Sequence, residues 1–250
     1  MANESWLPIA YGGFLVLART TALFASAPIL SSQLAPTRVR LNLAVVVAVA
    51  IFLGSGAHPA PLPDHLTELM LAAAGEAIFG LAAGLAAAFV FEAALSAGHL
   101  ASTTMGLGFA AQVDPINGVE STAIGRMTSM AALGFALTMG LHREAIRYLT
   151  RSVTEFPVGS SLPLKAMLTE LVSYTVYSCA LAVRLAFPIL GAITLGHVAL
   201  GLIGKVSPQL NLSSLGFSVA IIAGGGALYY LAPAVAQAAA EASLSVFVRS

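Results

Sequence analysis

Residues 66–91 form an apolar run long enough to cross a bilayer, and runs of this kind constrain the chain most strongly. A hydrocarbon core about 30 Å thick requires about 20 consecutive apolar residues in a helix. Further apolar runs lie at 6–32, 41–54, 122–141, 167–204 and 215–232. Lipid offers backbone N–H and C=O groups no partner, so such runs must pair these groups within helices. We expect an all-α, polytopic membrane protein built of kinked helical hairpins.

Composition supports the membrane assignment and excludes several classes of protein. Of the 250 residues, 58% are hydrophobic and 9% are charged, whereas soluble domains carry about 25% charged residues. The formal net charge is zero, so the basic surface that nucleic-acid binding requires is lacking, and we expect no nucleic-acid partner. The single cysteine, Cys179, excludes a disulfide framework and a cysteine-rich metal site.

Catalytic and cofactor motifs are absent from the sequence. It contains no HExxH, GxSxG or Walker loop, and its histidines show no paired ligand spacing. Gly106, Gly108 and Ala111 match the dinucleotide fingerprint GxGxxA, but no strand is predicted before them. We therefore predict a non-enzymatic protein that holds neither a metal nor a cofactor.

Three ionised side chains lie deep inside apolar runs, far from the run ends: Arg19 in the first, Glu76 in the third and Arg184 in the last but one. An unpaired charge at the bilayer centre costs about 2.5–3.5 kcal/mol on insertion scales. We interpret all three as buried polar contacts between helices or subunits, with Arg19 and Glu76 as one testable pair. Gly80 and Gly84, spaced as GxxxG, predict close packing of two helix backbones in the third run.

Prolines and glycines indicate where helices end or bend. Pro59, Pro61 and Pro63 fix extended backbone, so we expect a helix boundary there. Pro188 should kink its helix or divide it in two. The glycine triplet at 224–226 predicts a weak point or a close-packing site in the last helix.

A basic segment at 142–156 carries Arg143, Arg147 and Arg151 every four residues, which places them in one stripe along a helix. The stripe is typical of a helix that lies on a membrane surface, and equally of a solvated loop helix. Both interpretations stay open at this point.

Membrane topology is not resolved by the basic residues. The link with Arg38, the arginine stripe and the loop with Lys205 should each prefer the cytoplasm. Alternate crossing cannot place all three there unless 92–115 also spans, or unless some helices do not cross the bilayer.

Residues 105–115, MGLGFAAQVDP, are too short and too glycine-rich for an ordinary span. Irregular backbone at membrane depth persists only where it is packed inside protein or lines an aqueous path. Asp114 and Pro115 read as the start of a turn. Function is therefore to be sought in this stretch first.

The order of these features resembles the FliR family of flagellar export-gate proteins, whose counterpart in virulence-associated type III secretion is the SctT family. The matching stretches are ARTTALFASAPILSS, EAIFGLAAGLAAAFVFEAALSAGHL, MGLGFAAQVDP, SVTEFPVG and LAFPILGAITLGHVALGLIGKVSPQLNLSSLGF. The turn with Pro208, Gln209 and Asn211 is the most specific of them and favours a flagellum over an injectisome. Thr104 and Gly54 depart from the family, which often has Gln and Pro at these positions.

The resemblance implies a non-enzymatic subunit of a hetero-oligomeric type III protein-export gate. It implies a place in the bacterial inner membrane, within the flagellar basal body or a type III secretion base. The implied partners are FliP-like and FliQ-like subunits, an FlhB-like subunit, unfolded export substrates and membrane lipid. Residues 1–165 would form a FliP-like part and residues 166–250 a FliQ-like helical hairpin.

The resemblance also implies that the stretch after the third run plugs the closed pore. The residues carried over are Met105, Gly106, Leu107, Gly108, Phe109 and Ala110. Bulky apolar side chains would fill the pore, while the two glycines would let the backbone bend without steric cost. An ordinary packed loop is the alternative for this stretch.

A small-solute transporter or channel subunit is the alternative function, since it would also explain intramembrane charge and a broken helix. It predicts corresponding broken helices in the two halves, and Pro188 has no counterpart in the first half. An intramembrane hydrolase lacks a nucleophile motif. We therefore favour the export-gate interpretation.

Overall fold

The computed structural model describes residues 6–28, 36–56, 60–107, 123–160, 164–206 and 212–249. Seven helices occupy these ranges: α1 (Trp6–Ser26), α2 (Thr37–Gly54), α3 (Leu66–Thr104), α4 (Ala123–Thr138), α5 (Leu141–Glu155), α6 (Leu164–Val206) and α7 (Leu212–Arg249). No strand occurs in this described part of the chain. The prediction of an all-α fold is confirmed.

Five of these helices, α1, α2, α3, α6 and α7, are long and apolar enough to cross a membrane. The shorter α4 and α5 would add a sixth crossing if the two together form one broken span. The prediction of a polytopic membrane protein is confirmed by these lengths and compositions. The 39 residues of α3 extend over about 58 Å at the usual helical rise, which is nearly twice the roughly 30 Å of hydrocarbon.

Helix boundaries follow the prolines and glycines of the sequence. Pro36 directly precedes α2, and the non-helical residues from Ala60 to Pro63 separate α2 from α3, as the proline cluster predicted. Gly140 has a φ of 83°, in the left-handed region that glycine adopts without steric cost, and it separates α4 from α5.

Pro188 lies inside α6, which continues unbroken from Leu164 to Val206. Of the two outcomes expected at this proline, division of the helix was therefore wrong. A proline removes one backbone hydrogen bond, and membrane helices tolerate this loss because neighbouring groups satisfy the freed carbonyl. The glycine triplet at 224–226 likewise lies within α7 and does not end it.

The helices contribute to two compact units, each assembled from separate stretches of chain. Unit 1 comprises Met1–Phe89, Gly140–Thr175 and Ser243–Ser250, and unit 2 comprises Val90–Met139 and Val176–Ala242. The long helices α3, α6 and α7 contribute to both units. The division of the chain at residue 165 into FliP-like and FliQ-like parts concerns likeness to other subunits, and it stays a prediction.

Unit 1 brings the backbones of α1 and α3 into direct contact. A Cβ added to Gly80 would overlap the backbone carbonyl oxygen of Arg19, and one added to Gly84 would lie 3.0 Å from the carbonyl oxygen of Leu23. The close packing predicted from the GxxxG spacing is confirmed, because only glycine leaves room for α1 at these positions.

The basic helix α5 also belongs to unit 1, and one of its faces is buried there. The buried residues are Leu141, Ala145, Leu149, Ser152 and Val153. On the other face the side chains of Arg143 and Arg147 are 69% and 61% exposed. Arg151 is half-buried, and its Nη2 donates to the backbone carbonyl of Phe247 at 3.0 Å. One face of α5 therefore forms part of the unit 1 core. Whether the exposed arginine face meets a membrane surface or solvent stays a prediction.

Unit 2 packs the end of α3 against α4, α6 and α7. The hydroxyl of Thr128 in α4 donates to the carbonyl of Ala94 in α3 at 2.9 Å, and Gly98 permits this approach, since a Cβ there would lie 2.8 Å from the Cα of Gly125. The core cluster of unit 2 consists of Ala101, Met105, Ile189, Ile193 and Ala220.

Gly80→Ala tests the backbone contact between α1 and α3. The added methyl group overlaps the Arg19 carbonyl, and overpacking of this kind costs about 1–3 kcal/mol. The control is Gly134→Ala in α4, where nothing lies within 4 Å of an added Cβ and alanine should favour the helix by about 0.5–1 kcal/mol. Thermal unfolding of the purified protein in detergent should show a lower Tm for Gly80→Ala only. An unchanged Tm for Gly80→Ala would contradict the contact.

Candidate functional site

The stretch that follows α3 begins with a well-defined helix end. Leu107 N donates to Ser102 O and Gly106 N donates to Thr103 O, each at 3.0 Å. This pair of bonds, with Gly106 at a φ of 79°, is a Schellman motif, which pairs the free carbonyls of the last helical turn. Gly106 is therefore required where the helix ends, in addition to any role as a hinge.

Met105 points into its own chain. Its side chain is 1% exposed and lies in the core cluster of unit 2, among side chains of α3, α6 and α7. Leu107, two residues later, is 39% exposed. The expectation that Met105 fills a pore does not fit this burial, and Leu107 is the first large side chain that leaves the core.

The space that Met105 occupies exists because α7 has a glycine opposite it. A Cβ added to Gly224 would overlap Cε of Met105, lie 2.9 Å from its Cγ and lie 3.0 Å from Cδ1 of Ile193. At Gly225 and Gly226 nothing lies within 4 Å of an added Cβ. The triplet is thus a close-packing site at its first glycine only.

The remaining residues of the expected plug, Gly108, Phe109 and Ala110, lie outside the described residues, as do Asp114 and Pro115. The turn expected from Pro208, Gln209 and Asn211 lies outside them as well. Their predicted roles stay predictions.

Unit 1 contains the second candidate feature, a buried ion pair. Nε of Arg19 in α1 donates to Oε2 of Glu76 in α3 at 2.6 Å, and the two side chains are 0% and 2% exposed. The structure therefore brings together the two residues that the sequence suggested as a pair. Glu76 also accepts a hydrogen bond on Oε1 from the backbone N–H of Gly159 at 3.0 Å.

The rest of the Arg19 guanidinium is bound by the end of α5. Nη1 donates to the carbonyl of Ser152 at 2.9 Å and to its hydroxyl at 3.3 Å, and Nη2 donates to the carbonyl of Phe156 at 3.1 Å. The guanidinium also lies 4.5 Å from the ring centroid of Phe79, a cation–π contact. Arg19 thus holds α1, α3 and the end of α5 together.

Aromatic rings extend this cluster. Phe79 packs on Tyr148 and on Phe156, with centroids 6.5 and 5.7 Å apart, and Tyr148 packs on Phe247 at 5.6 Å. The arrangement offers hydrogen bonds and packing but no nucleophile paired with a base.

Arg184 does not share this environment. Its side chain is exposed on α6, so of the two expected environments, a contact between helices of this chain or a contact with another subunit, the second stays a prediction. The reason is geometric, since an apolar run shows that a charge is unusual but not which side of the helix carries it.

The partners of Arg19 beyond Glu76 were missed from the sequence. Ser152, Phe156 and Gly159 all lie in SVTEFPVG, one of the stretches that resemble the FliR family. The sequence showed this stretch only as a family motif and offered no physical reason for its residues. The structure supplies the reason: two backbone carbonyls, one hydroxyl and one backbone N–H bind the ion pair.

Comparison with known proteins decides the family. Residues 10–245 match the family described as bacterial export proteins, family 1. The chain belongs to this family. Its relatives include the flagellar biosynthetic protein FliR of Escherichia coli (strain K12), 30% identical over 240 residues that cover 94% of this chain and 90% of the relative. The FliR proteins of Caulobacter vibrioides and Bacillus subtilis are each 27% identical, covering 86% and 83% of this chain and 85% and 80% of their own.

Membership in the bacterial export proteins, family 1, confirms the resemblance found in the sequence. The match includes α1 from residue 10, the ion pair, the end of α3 and most of α7. Both candidate features therefore lie inside the region that defines the family.

Arg19→Met tests the buried pair. Removing one partner leaves the Glu76 carboxylate buried without its counter-charge, which costs about 3–5 kcal/mol. The amount of folded protein extracted from membranes should drop steeply. The matched control is Arg143→Met, because that side chain is 69% exposed, and it should extract like the wild type. Equal amounts of the two variants would show that the pair does not stabilise the fold.

Proposed function

We propose that this chain is a non-enzymatic subunit of a type III protein-export gate in the bacterial inner membrane. Three findings support the proposal: the export-protein family, relatives named flagellar biosynthetic protein FliR, and five helices able to cross a membrane. The relatives favour the flagellar basal body over a virulence-associated secretion base. The subunit contributes to the channel through which unfolded substrates pass.

The proposed partners are FliP-like and FliQ-like subunits, an FlhB-like subunit, unfolded export substrates and the surrounding lipid. Purification in mild detergent tests this assembly. An export-gate subunit should co-isolate with several copies of two other small membrane proteins, and a deletion strain should lose motility. Isolation of the chain without other subunits, together with a deletion strain that stays motile, would refute the proposal.

The plug proposal rests on one observation, which is that the stretch after α3 begins at a firmly packed position. A segment that closes a pore needs an attachment that holds it in place while no substrate is present. Met105 in the unit 2 core and the Schellman motif at Gly106 provide that attachment. The side chains from Leu107 onwards are then the ones proposed to fill the pore, and Met105 is the anchor.

The transporter alternative was considered because it would explain a broken helix and intramembrane charge. The helix α6 is continuous through Pro188, so no broken helix remains to be explained there. Arg19 and Glu76 neutralise each other in unit 1, so this pair needs no solute to explain it, and for Arg184 we propose a contact with another subunit.

Gly224→Leu tests the anchor. The larger side chain occupies the space of Met105. The start of the proposed plug should therefore leave the unit 2 core, and the closed gate should leak ions. Membrane depolarisation and sodium sensitivity of growth measure the leak in cells. The control is Gly225→Leu, where nothing lies within 4 Å of an added Cβ, and it should not leak. A leak of equal size in both variants, or in neither, would remove Met105 as the anchor.

Gly106→Val tests the end of α3 directly. A β-branched residue resists the φ of 79°, and its Cβ would lie 2.6 Å from the ring of Phe217. We expect impaired export, measured as flagellin in the culture medium. Deletion of residues 106–110 should instead leak ions. Normal secretion and normal conductance in both variants would contradict the plug.

A further inference from the structure

Unit 1 contains a pocket of about 290 Å³ that neither the ion pair nor the plug explains. The pocket is large enough to receive one long side chain. We call it the α3–α5–α6 pocket, after the helices whose residues line most of it.

The walls of the α3–α5–α6 pocket are apolar and aromatic. Ala83 and Phe79 of α3 form one side, Tyr148 of α5 and Phe156 a second, and Tyr174 of α6 a third. One face of Phe79 already receives the guanidinium of Arg19. Aromatic faces of this kind attract cations, most strongly where water is partly excluded.

Two carboxylates complete the lining. Glu155 and Glu170 both line the pocket and both are exposed. Within the described residues neither carboxylate has an ion pair or a hydrogen bond. Arg151 also lines the pocket, and its Nη2 donates to the Phe247 carbonyl. The lining therefore carries two negative charges against one positive charge.

We propose that the α3–α5–α6 pocket receives one lysine or arginine side chain from a neighbouring subunit of the export apparatus. The apolar stem packs against Ala83 and the aromatic rings, and the charged end reaches Glu155 and Glu170. Long basic side chains combine an apolar stem with a charged head in this way. The proposal rests on the proposed function, because it requires neighbouring subunits.

The charges favour a protein over a lipid as the source of the cation. Ionised side chains that face hydrocarbon cost about 2.5–3.5 kcal/mol each near the bilayer centre. The pocket has two exposed carboxylates, and Glu144 and Arg147 lie on the same helix, α5, as Glu155. Such a surface is suited to a polar contact with protein, where a desolvated pair of opposite charges can add affinity.

The test is site-specific photocrosslinking in cells that carry the complete export apparatus. A benzoylphenylalanine probe replaces Met167, which lines the pocket and is half-buried. The control probe replaces Leu168, which is 61% exposed and does not line the pocket. We expect one dominant adduct from position 167, to an export subunit, on a peptide that contains a lysine or arginine.

Charge variants identify the contact. Glu155→Gln with Glu170→Gln should lower the adduct yield at least tenfold, normalised to the amount of chain in the membrane. The control Glu68→Gln, an exposed carboxylate of the same unit that does not line the pocket, should leave the yield unchanged. Reversing the sign of the partner's basic residue together with Glu170→Lys should restore the adduct.

Several outcomes would overturn the proposal. These are an adduct to phospholipid, a yield at position 167 no higher than at 168, a peptide without a basic residue, and a yield insensitive to the glutamine variants. Each is distinct from failure of the proposed function, which appears as a motile deletion strain.

Discussion

The buried Arg19–Glu76 pair is the contact on which unit 1 depends. A guanidinium that is 0% exposed is tolerated only when its charge and its donors are satisfied. Here the carboxylate, two backbone carbonyls and one hydroxyl satisfy it. The same turn of α1 requires Gly80, because the carbonyl of Arg19 lies against it. One residue of α1 thus fixes both the distance to α3 and the place where α5 ends.

The length of α3 bears on the unresolved topology. The three basic segments can all lie in the cytoplasm only if residues 92–115 form a separate span or if some helices do not cross the bilayer. Residues 92–104 continue α3 and form no helix of their own, which argues against the first solution. A helix of roughly 58 Å also exceeds one upright crossing. The second solution, in which some apolar helices do not cross the bilayer, is therefore the one that is left for this chain.

Much of the fold could be predicted because its signals are local. Apolar runs predict helices, Pro61 and Pro63 predict a boundary, and GxxxG predicts contact between backbones. The Arg19–Glu76 pair followed from the cost of lone charges in lipid. What could not be predicted depends on tertiary context. The side of α6 that carries Arg184, the unbroken helix at Pro188 and the inward side chain of Met105 are set by packing between segments far apart in sequence, which periodicity does not specify.

The anchoring of Met105 also sets an energetic scale for the proposed plug. Full burial of one methionine side chain contributes about 1.5–3 kcal/mol. Each 1.4 kcal/mol changes a population ratio tenfold. This contribution therefore favours the state with Met105 buried over the state with Met105 released by roughly 10- to 150-fold. In the proposed gate, a bias of that size would keep an idle channel closed most of the time. It would also be small enough for an entering chain to reverse through modest differential binding to the open state. Gly224 leaves the space that the Met105 side chain occupies, so a larger residue at this position would remove the contribution.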